Sequence, residues 1–115
     1  MLELHEDFHG QTVICTFDVT PGSAQDVLDL LTRAYDEVVS HRPGYLGGAI
    51  HLNDAQTRIC TYSKWRCRDD YKAMLRSPEM RARNLVINER VRSFEPVMYE
   101  VASVHAVADA PQAEA

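Results

Sequence analysis

The sequence has few cysteines and no long apolar run, and these two absences already exclude several classes of protein. Its three cysteines, Cys15, Cys60 and Cys67, are odd in number and lack the C-x-x-C spacing of zinc sites and redox motifs, so we expect free thiols. No stretch reaches the roughly 18 apolar residues of a membrane span, and the first residues do not resemble a signal peptide. We therefore expect a cytoplasmic protein with no membrane partner.

Sequence motifs for phosphate, dinucleotide and metal binding are also missing. The chain has no Gly-rich dinucleotide fingerprint, no P-loop, no G-x-S-x-G elbow and no histidine pair at metal-binding helical spacing. Twelve basic against seventeen acidic residues give a net charge of −5, and no Lys/Arg cluster is interleaved with aromatic residues. We expect no nucleic-acid partner, no bound metal and no conventional cofactor.

The first half of the chain has the pattern of a strand, a helix and a hairpin. β-Branched and aromatic residues predict a strand over Gln11–Val19, which ends at a Thr-Pro-Gly turn. Ser23 is a candidate cap for a helix that must end near His41, because Pro43 and Gly44 follow. The next strand is predicted to end at Leu52, followed by a loop over residues 53–56 and a strand over Thr57–Trp65.

The second half predicts a divided helix and a last strand. A short helix over Arg68–Leu75 is followed by Ser77 as a cap and Pro78 at the first helical position of a longer helix. The last strand is predicted from Val97 to about Val107. One face of the longer helix is predicted to carry Met80, Asn84, Ile87, Val91 and Phe94.

This order of elements predicts an α+β, ferredoxin-like fold of the split βαβ type, with an antiparallel sheet and the helices on one face. The first strand places Val13, Cys15, Phe17 and Val19 on one side but Ile14 on the other. Apolar residues on both faces predict that a second copy covers the second face, as a homodimer. The predicted domain spans residues 11–107, with an N-terminal extension at 1–10 and a flexible tail at 108–115.

Three segments carry a resemblance to a known family. Pro-Gly-Tyr-Leu-Gly-Gly-Ala-Ile-His begins at Pro43, and Arg-Ile-Cys-Thr-Tyr-Ser-Lys-Trp ends at Trp65. With Glu-Pro-Val-Met-Tyr-Glu-Val from Glu95, they resemble the antibiotic biosynthesis monooxygenases, and the likeness runs from Thr12 to about Val107. The resemblance implies a dimeric α/β barrel of ferredoxin-like subunits. For its quinone-forming members it implies oxidation of a polycyclic aromatic polyketide phenol or anthrone to a quinone by O2, without flavin, haem or metal.

The resemblance also implies site residues, each of which has a purely structural alternative. Trp65 would line an aromatic pocket, although a lone tryptophan is as often part of a core. His51 would act as a base on the phenolic or C–H proton, unless it is a strand histidine satisfied by a neighbour. Tyr71 would hydrogen-bond a quinone oxygen, or it only packs.

Two further positions complete the predicted site. The family often directs a helix arginine to the cavity, and Arg83 fits that position slightly better than Arg81 or Arg90. Quinone-forming members commonly carry an asparagine four residues before the tryptophan, where this chain has Thr61. A threonine hydroxyl lacks the combined donor and acceptor groups of an amide, so Thr61 works with another polar residue or the reaction has changed.

Two other functions stay open at this point. A polyketide cyclase or other non-oxidative tailoring enzyme would use His51 and Tyr71 as acid and base on an enolisable chain. A non-catalytic ligand-binding or dimerisation module is the other alternative, because a fold by itself does not define a function. Catalysis on a polycyclic substrate requires a cavity of roughly 300 Å³ or more beside Trp65.

Overall fold

The computed structural model describes residues 10–108. The predicted N-terminal extension and flexible tail therefore lie outside the described residues, except for residues 10 and 108. The chain forms β1 (Gln11–Asp18), α1 (Ala24–Glu37), a 3-10 turn (Val39–His41), β2 (Tyr45–Leu52), β3 (Arg58–Trp65), α2 (Arg68–Arg76), α3 (Pro78–Arg90) and β4 (Ser93–Tyr99).

The four strands form one antiparallel sheet in the order β2-β3-β1-β4. The central strand β1 pairs with both β3 and β4, while β2 and β4 are the edges. This order confirms the predicted ferredoxin-like α+β fold, in which two βαβ halves interleave in one sheet.

All three α-helices pack on the same face of the sheet, which we call the covered face. Alternate residues of a strand point to opposite faces, so the odd-numbered residues of β1 and β3 meet the helices. Their side chains form two adjoining clusters with apolar residues of α1, α2 and α3. The buried strand residues of these clusters are Val13, Phe17, Ile59 and Trp65.

The outer face of the sheet, turned away from the helices, has one apolar row. The pairing registers place Ala49, Tyr62, Ile14 and Val97 side by side across all four strands. All four side chains are half-buried. Polar residues dominate the two neighbouring rows: one holds His51, Cys60, Thr16 and Glu95, and the other holds Lys64, Thr12 and Tyr99.

The last strand differs from its prediction. It begins at Ser93 and ends at Tyr99, whereas residues 101–107 belong to no strand. Helix α3 ends at Arg90, so the assignment of Val91 and Phe94 to its apolar face was wrong. Phe94 instead stacks on Phe17 across the strand pair, with ring centroids 6.2 Å apart, and this contact outweighs the helical spacing that suggested otherwise.

The two predicted helix caps have different outcomes. Ser77 is the N-cap of α3, its hydroxyl accepts a hydrogen bond from the Met80 amide at 3.3 Å, and Pro78 opens the helix as predicted. Ser23 occupies the N-cap position of α1 but forms no capping hydrogen bond. Its hydroxyl instead accepts from the Thr20 amide at 3.2 Å, because the preceding turn folds back on it.

The Pro-Gly motif joins the start of β2 to the start of α2. Gly44 has φ +84°, a left-handed conformation that glycine adopts without strain, and its carbonyl accepts from the Arg66 amide at 2.7 Å. A Cβ on Gly44 would overlap the Asp70 carboxylate, which pairs with the Arg66 guanidinium at 2.9 Å. We call this arrangement of Gly44, Arg66 and Asp70 the clasp.

Within residues 10–108, none of the helices combines the length and the apolar composition that crossing a lipid bilayer requires.

Candidate active site

An interior cavity of about 190 Å³ lies between the covered face and the three helices. Its floor comes from β1, β3 and β4, and its roof comes from α1, α2 and α3. The apolar part of the lining consists of Val13, Phe17, Leu31, Val39, Met74, Leu75, Met80, Phe94 and Pro96, with Cys15 beside them.

The polar part of the lining is uncharged throughout the described residues. It consists of four hydroxyls from Tyr35, Thr61, Ser63 and Tyr71 and two amides from Asn84 and Asn88. Neither amide has a hydrogen-bond partner within residues 10–108, since no bond joins them to another side chain or to the backbone. The cavity is therefore a neutral, largely apolar space with unused donors and acceptors.

The hydroxyls of β3 form the polar part of the floor. Thr61 and Ser63 are buried, at 5% and 4% exposure. The Trp65 indole Nε1 donates to Ser63 Oγ at 3.0 Å, which leaves the Ser63 hydroxyl proton available to another acceptor. Thr61 is thus accompanied by a second hydroxyl two residues away on the same face.

Burial keeps the ionisable groups of the cavity protonated. It raises the pKa of Tyr71 to about 12 and that of the Cys15 thiol to about 12. Burial also raises the pKa of Tyr35, although the neighbouring hydroxyls of Thr61 and Ser63 oppose this increase. At neutral pH these side chains are uncharged, so the tyrosine hydroxyls can donate hydrogen bonds to an oxyanion.

Trp65 lies behind the cavity rather than on its surface. Its side chain is completely buried, and its ring meets those of Tyr45 and Tyr71 edge to face at 5.3 and 5.8 Å. Trp65 does not line the cavity, but it contacts Tyr71 and Ser63, which do. The structure therefore places Trp65 where it supports two hydroxyl-bearing residues.

His51 lies on the other side of the sheet. It pairs with Cys60, whereas its neighbour Ile50 pairs with Thr61, so His51 and Thr61 point to opposite faces. Its side chain is exposed on the outer face. Within one chain, His51 consequently meets neither Thr61 nor Tyr71, the partner that a cyclase mechanism would give it.

Arg83 lies in a separate groove between α1 and α3. Its Nη2 atom is 2.6 Å from Glu37 Oε1, and both residues line that groove together with Leu30 and Val86. The interior cavity instead meets α3 at Asn84, one residue further along. A one-residue step rotates a side chain by about 100° around a helix, and sequence alone did not resolve this step.

Sequence reasoning missed four polar residues of the cavity: Tyr35, Ser63, Asn84 and Asn88. Asn84 was assigned to the apolar face of α3 but was given no role there. Tyr35 lies four residues after the buried Leu31 on α1, a spacing that places it on the same helix face. For Asn84 and Tyr35, the polar group on an otherwise apolar helix face was the sequence feature that could have indicated a role in the cavity.

At about 190 Å³, the cavity is smaller than the roughly 300 Å³ or more expected beside Trp65 for a polycyclic substrate, so that expectation is not met by the resting structure. It opens where Asn88 of α3 meets Phe94 and Pro96 of β4, since these lining residues are exposed. Two of its roof residues, Met74 and Met80, have flexible unbranched side chains that can move aside. A ring system larger than the resting cavity thus requires displacement of these methionines or extension through the mouth.

Across the part of the chain that the structure describes, no three His, Cys, Asp or Glu side chains come together as a group that could hold a metal ion.

Comparison with known proteins identifies one family and one curated relative. The family described as "Antibiotic biosynthesis monooxygenase" matches residues 11–84. Tetracenomycin-F1 monooxygenase from Streptomyces glaucescens is 26% identical over 69 residues, which is 60% of this chain and 62% of that protein. The chain thus aligns with somewhat less than two thirds of the length of this relative.

Solved structures share the fold at low sequence identity. ActVA-Orf6 monooxygenase of Streptomyces coelicolor, solved in complex with nanaomycin D, has a TM-score of 0.73 and 18% identity, covering 85% of this chain and 90% of its own. SnoaB, a cofactor-independent oxygenase from Streptomyces nogalater, has a TM-score of 0.73 and 14% identity, with coverages of 82% and 94%. These structures support the fold and leave the reaction to be argued from the site.

Proposed function

Because the chain belongs to the antibiotic biosynthesis monooxygenase family, we propose that it is a cofactor-independent monooxygenase that oxidises an aromatic polyketide with O2. The finer proposal is a phenol or anthrone substrate that is converted to a quinone. Relatives named for tetracenomycin F1 and solved with nanaomycin D support a substrate of this class.

The observation that carries the proposal is the uncharged cavity with its hydroxyl floor. Its apolar walls suit a flat aromatic ring, and its neutral donors suit a phenolic or ketone oxygen on that ring. A cationic or phosphorylated substrate would find no charged partner among the described lining residues. The cavity therefore favours an electron-rich aromatic compound whose negative charge develops only during the reaction.

The proposed reaction balances without a cofactor. An anthrone methylene loses a proton, and the resulting anion transfers one electron to O2. The two radicals combine into a peroxide anion, which takes up one proton to give a hydroperoxide, and the hydroperoxide loses water to leave a carbonyl. One oxygen atom of O2 enters the quinone, and the other leaves as water with the two methylene hydrogens.

In this proposal the protein stabilises the substrate anion by hydrogen bonding. The hydroxyls of Tyr71, Thr61 and Tyr35 donate to the substrate oxygen on which the negative charge accumulates. Their raised pKa values keep the two tyrosines protonated, and hence able to donate, at neutral pH. Trp65 acts as a positioning residue, because it packs against Tyr71 and bonds to Ser63.

The methylene proton leaves by a route that does not involve histidine. The cavity offers no group with an ordinary pKa near 7 among its described lining residues, and His51 lies across the sheet. We therefore assign proton transfer to water at the mouth formed by Asn88, Phe94 and Pro96. The rate then follows the ionisation of the substrate rather than that of an imidazole.

We also propose that the protein works as a homodimer. The outer face carries the apolar row of Ala49, Tyr62, Ile14 and Val97, which a second sheet of the same kind would cover. Pairing of two such faces would bury the row and leave the interior cavity of each subunit on the far side of its own sheet.

The test is oxygen uptake with an anthrone, corrected for the reaction without protein and combined with ¹⁸O2 labelling of the product. We expect one labelled oxygen in the quinone. We expect Tyr71→Phe and Thr61→Val to lower kcat/KM by about 10-fold or more, because each removes a donor to the oxyanion.

Matched controls come from the outer face of the same sheet. Tyr62→Phe and Thr16→Val remove the same hydroxyls from residues that do not reach the cavity, and we expect rates close to wild type. Equal losses in cavity and control variants would contradict the proposed site. Product formation that continues without oxygen would contradict the monooxygenase and point to the cyclase instead.

A further inference from the structure

Tyr35 of α1 separates two spaces. On one side it lines the interior cavity, and on the other it lines a surface cleft of about 270 Å³ between α1 and β2. The other walls of the surface cleft include Thr32, Asp36, Tyr45 and Gly48. A single aromatic ring thus divides the interior of the protein from its surface at this end.

The ring of Tyr35 is held in place from the β2 side. It meets the Tyr45 ring edge to face, with centroids 6.4 Å apart. Gly48 leaves room for both rings: a Cβ there would lie 3.4 Å from the Tyr35 ring and 2.8 Å from the Tyr45 hydroxyl. These two contacts with β2 make the ring a fixed wall, because neither Tyr45 nor the β2 backbone can withdraw without disturbing the sheet.

The cavity runs across the sheet, with its mouth at one edge and Tyr35 toward the other. The mouth lies at β4, one edge of the sheet, where Phe94 and Pro96 are exposed. Tyr35 lies toward β2, the opposite edge, beyond the hydroxyls of Thr61 and Ser63 on β3. The floor between these ends crosses from β4 over β1 to β3, about two strand spacings or roughly 10 Å.

We infer that Tyr35 is the specificity-determining residue that sets how long a ring system the cavity accepts. This inference rests on the proposed function and deepens it. A flat guest that enters at β4 brings a ring oxygen to the hydroxyls of Thr61 and Ser63, and its leading end stops at the Tyr35 ring. The preferred substrate is a short linear system of fused rings with a phenolic or ketone oxygen.

The experiment compares ligands of increasing length. Dissociation constants are measured by fluorescence titration for a two-ring naphthol, a three-ring anthrone and a four-ring naphthacenone, under anaerobic conditions. Tyr35→Ala joins the interior cavity to the surface cleft, so we expect the preference to move by about 10-fold or more toward the four-ring ligand. Tyr35→Leu serves as a second enlarging variant, and circular dichroism checks that both fold.

Tyr35→Phe is the matched control, because it keeps the wall and removes only the hydroxyl. We expect it to keep the length preference of the wild type and to weaken binding of all three ligands by a similar factor. If ligands bind but both enlarging variants keep the wild-type length preference, Tyr35 is not the end wall and the inference is wrong. If no ligand binds to any variant or to the wild type, the proposed function itself fails.

Discussion

The two faces of the sheet use the same strands for opposite purposes. On β3, Thr61 and Ser63 face the helices and line the cavity, whereas Tyr62 between them belongs to the apolar row of the outer face. The covered face therefore holds the candidate site, and the outer face holds the surface that we assign to a second copy.

This difference teaches that the side of the sheet on which a residue lies decides its role more than its chemical type does. Tyr62 and Tyr71 are both tyrosines, but only Tyr71 lines the cavity, and burial raises its pKa to about 12. His51 has the right chemistry for a base and lies on the other face. Matched substitutions that remove the same group from each face can therefore test the assignment directly.

The largest effect is expected from loss of the completely buried tryptophan. Trp65→Ala should lower the free energy of unfolding by about 3–5 kcal/mol, because it leaves a cavity between Tyr45 and Tyr71. Tyr62→Ala truncates an aromatic residue that is only half-buried within its own subunit, so it should cost clearly less at protein concentrations where the proposed dimer is dissociated. Urea unfolding followed by circular dichroism measures both, and equal losses would contradict the contrast between the faces.

The next effect concerns assembly. Ile14→Asp places a charge in the middle of the apolar row, where a second sheet would have to desolvate it. We expect the dimer dissociation constant to rise by about 100-fold or more in analytical ultracentrifugation, with the fold retained. Leu85→Asp, on an exposed position of α3, is the control and should not change it. A wild-type protein that is monomeric would refute the homodimer.

Alkaline pH should lower the free energy of unfolding, because two ionisable groups on the covered face are buried. The pKa of Cys15 rises from 9.0 to about 12 and that of Tyr71 from 10.0 to about 12, so the folded protein keeps protons that the unfolded chain releases. Their contribution is complete below about pH 9 and is lost as the pH rises toward 12, by about 1.4 kcal/mol per pH unit for each group.

A tyrosine comparison checks the source of this pH dependence. Tyr71→Phe should reduce the slope of unfolding free energy against pH above 10. Tyr62→Phe should change this slope less, because Tyr62 on the outer face is less buried than Tyr71 on the covered face. A slope that is unchanged in Tyr71→Phe would contradict the burial of that hydroxyl.

The smallest effect is expected at the residue that sequence reasoning favoured as the base. His51→Ala should change the unfolding free energy by less than about 0.5 kcal/mol, because the side chain is exposed. It should also leave kcat/KM within about twofold of wild type. A large loss of rate in a variant that folds normally would return His51 to the site.

The sequence predicted the fold well where local patterns agreed with packing. Alternation in β1, the Ser77-Pro78 start of α3 and the turn at Gly44 each depend on nearby residues, and all are present in the structure. The end of α3 was misplaced because Phe94 packs on Phe17, a partner 77 positions away that no local pattern reveals.

The candidate site was harder to predict than the fold. Thr61 and Tyr71 do line a common cavity, but Arg83 and His51 lie outside it. Arg83 is one residue away from the position on α3 that faces the cavity, and His51 points to the opposite face of the sheet. Tyr35 reaches the cavity only because α1 crosses the sheet near β2. Such convergence of distant segments depends on three-dimensional packing rather than on spacing along the chain.

Through the clasp, Gly44 affects the surroundings of the candidate site although it does not line the cavity. The Gly44 carbonyl accepts a hydrogen bond from the amide of Arg66, the residue after Trp65. The missing side chain leaves room for Asp70 in the first turn of the helix that carries Tyr71. A larger residue there would overlap the Asp70 side chain and would have to adopt φ +84°, a conformation that L-residues rarely take. Because Asp70 directly precedes Tyr71, this turn should tolerate mutation poorly.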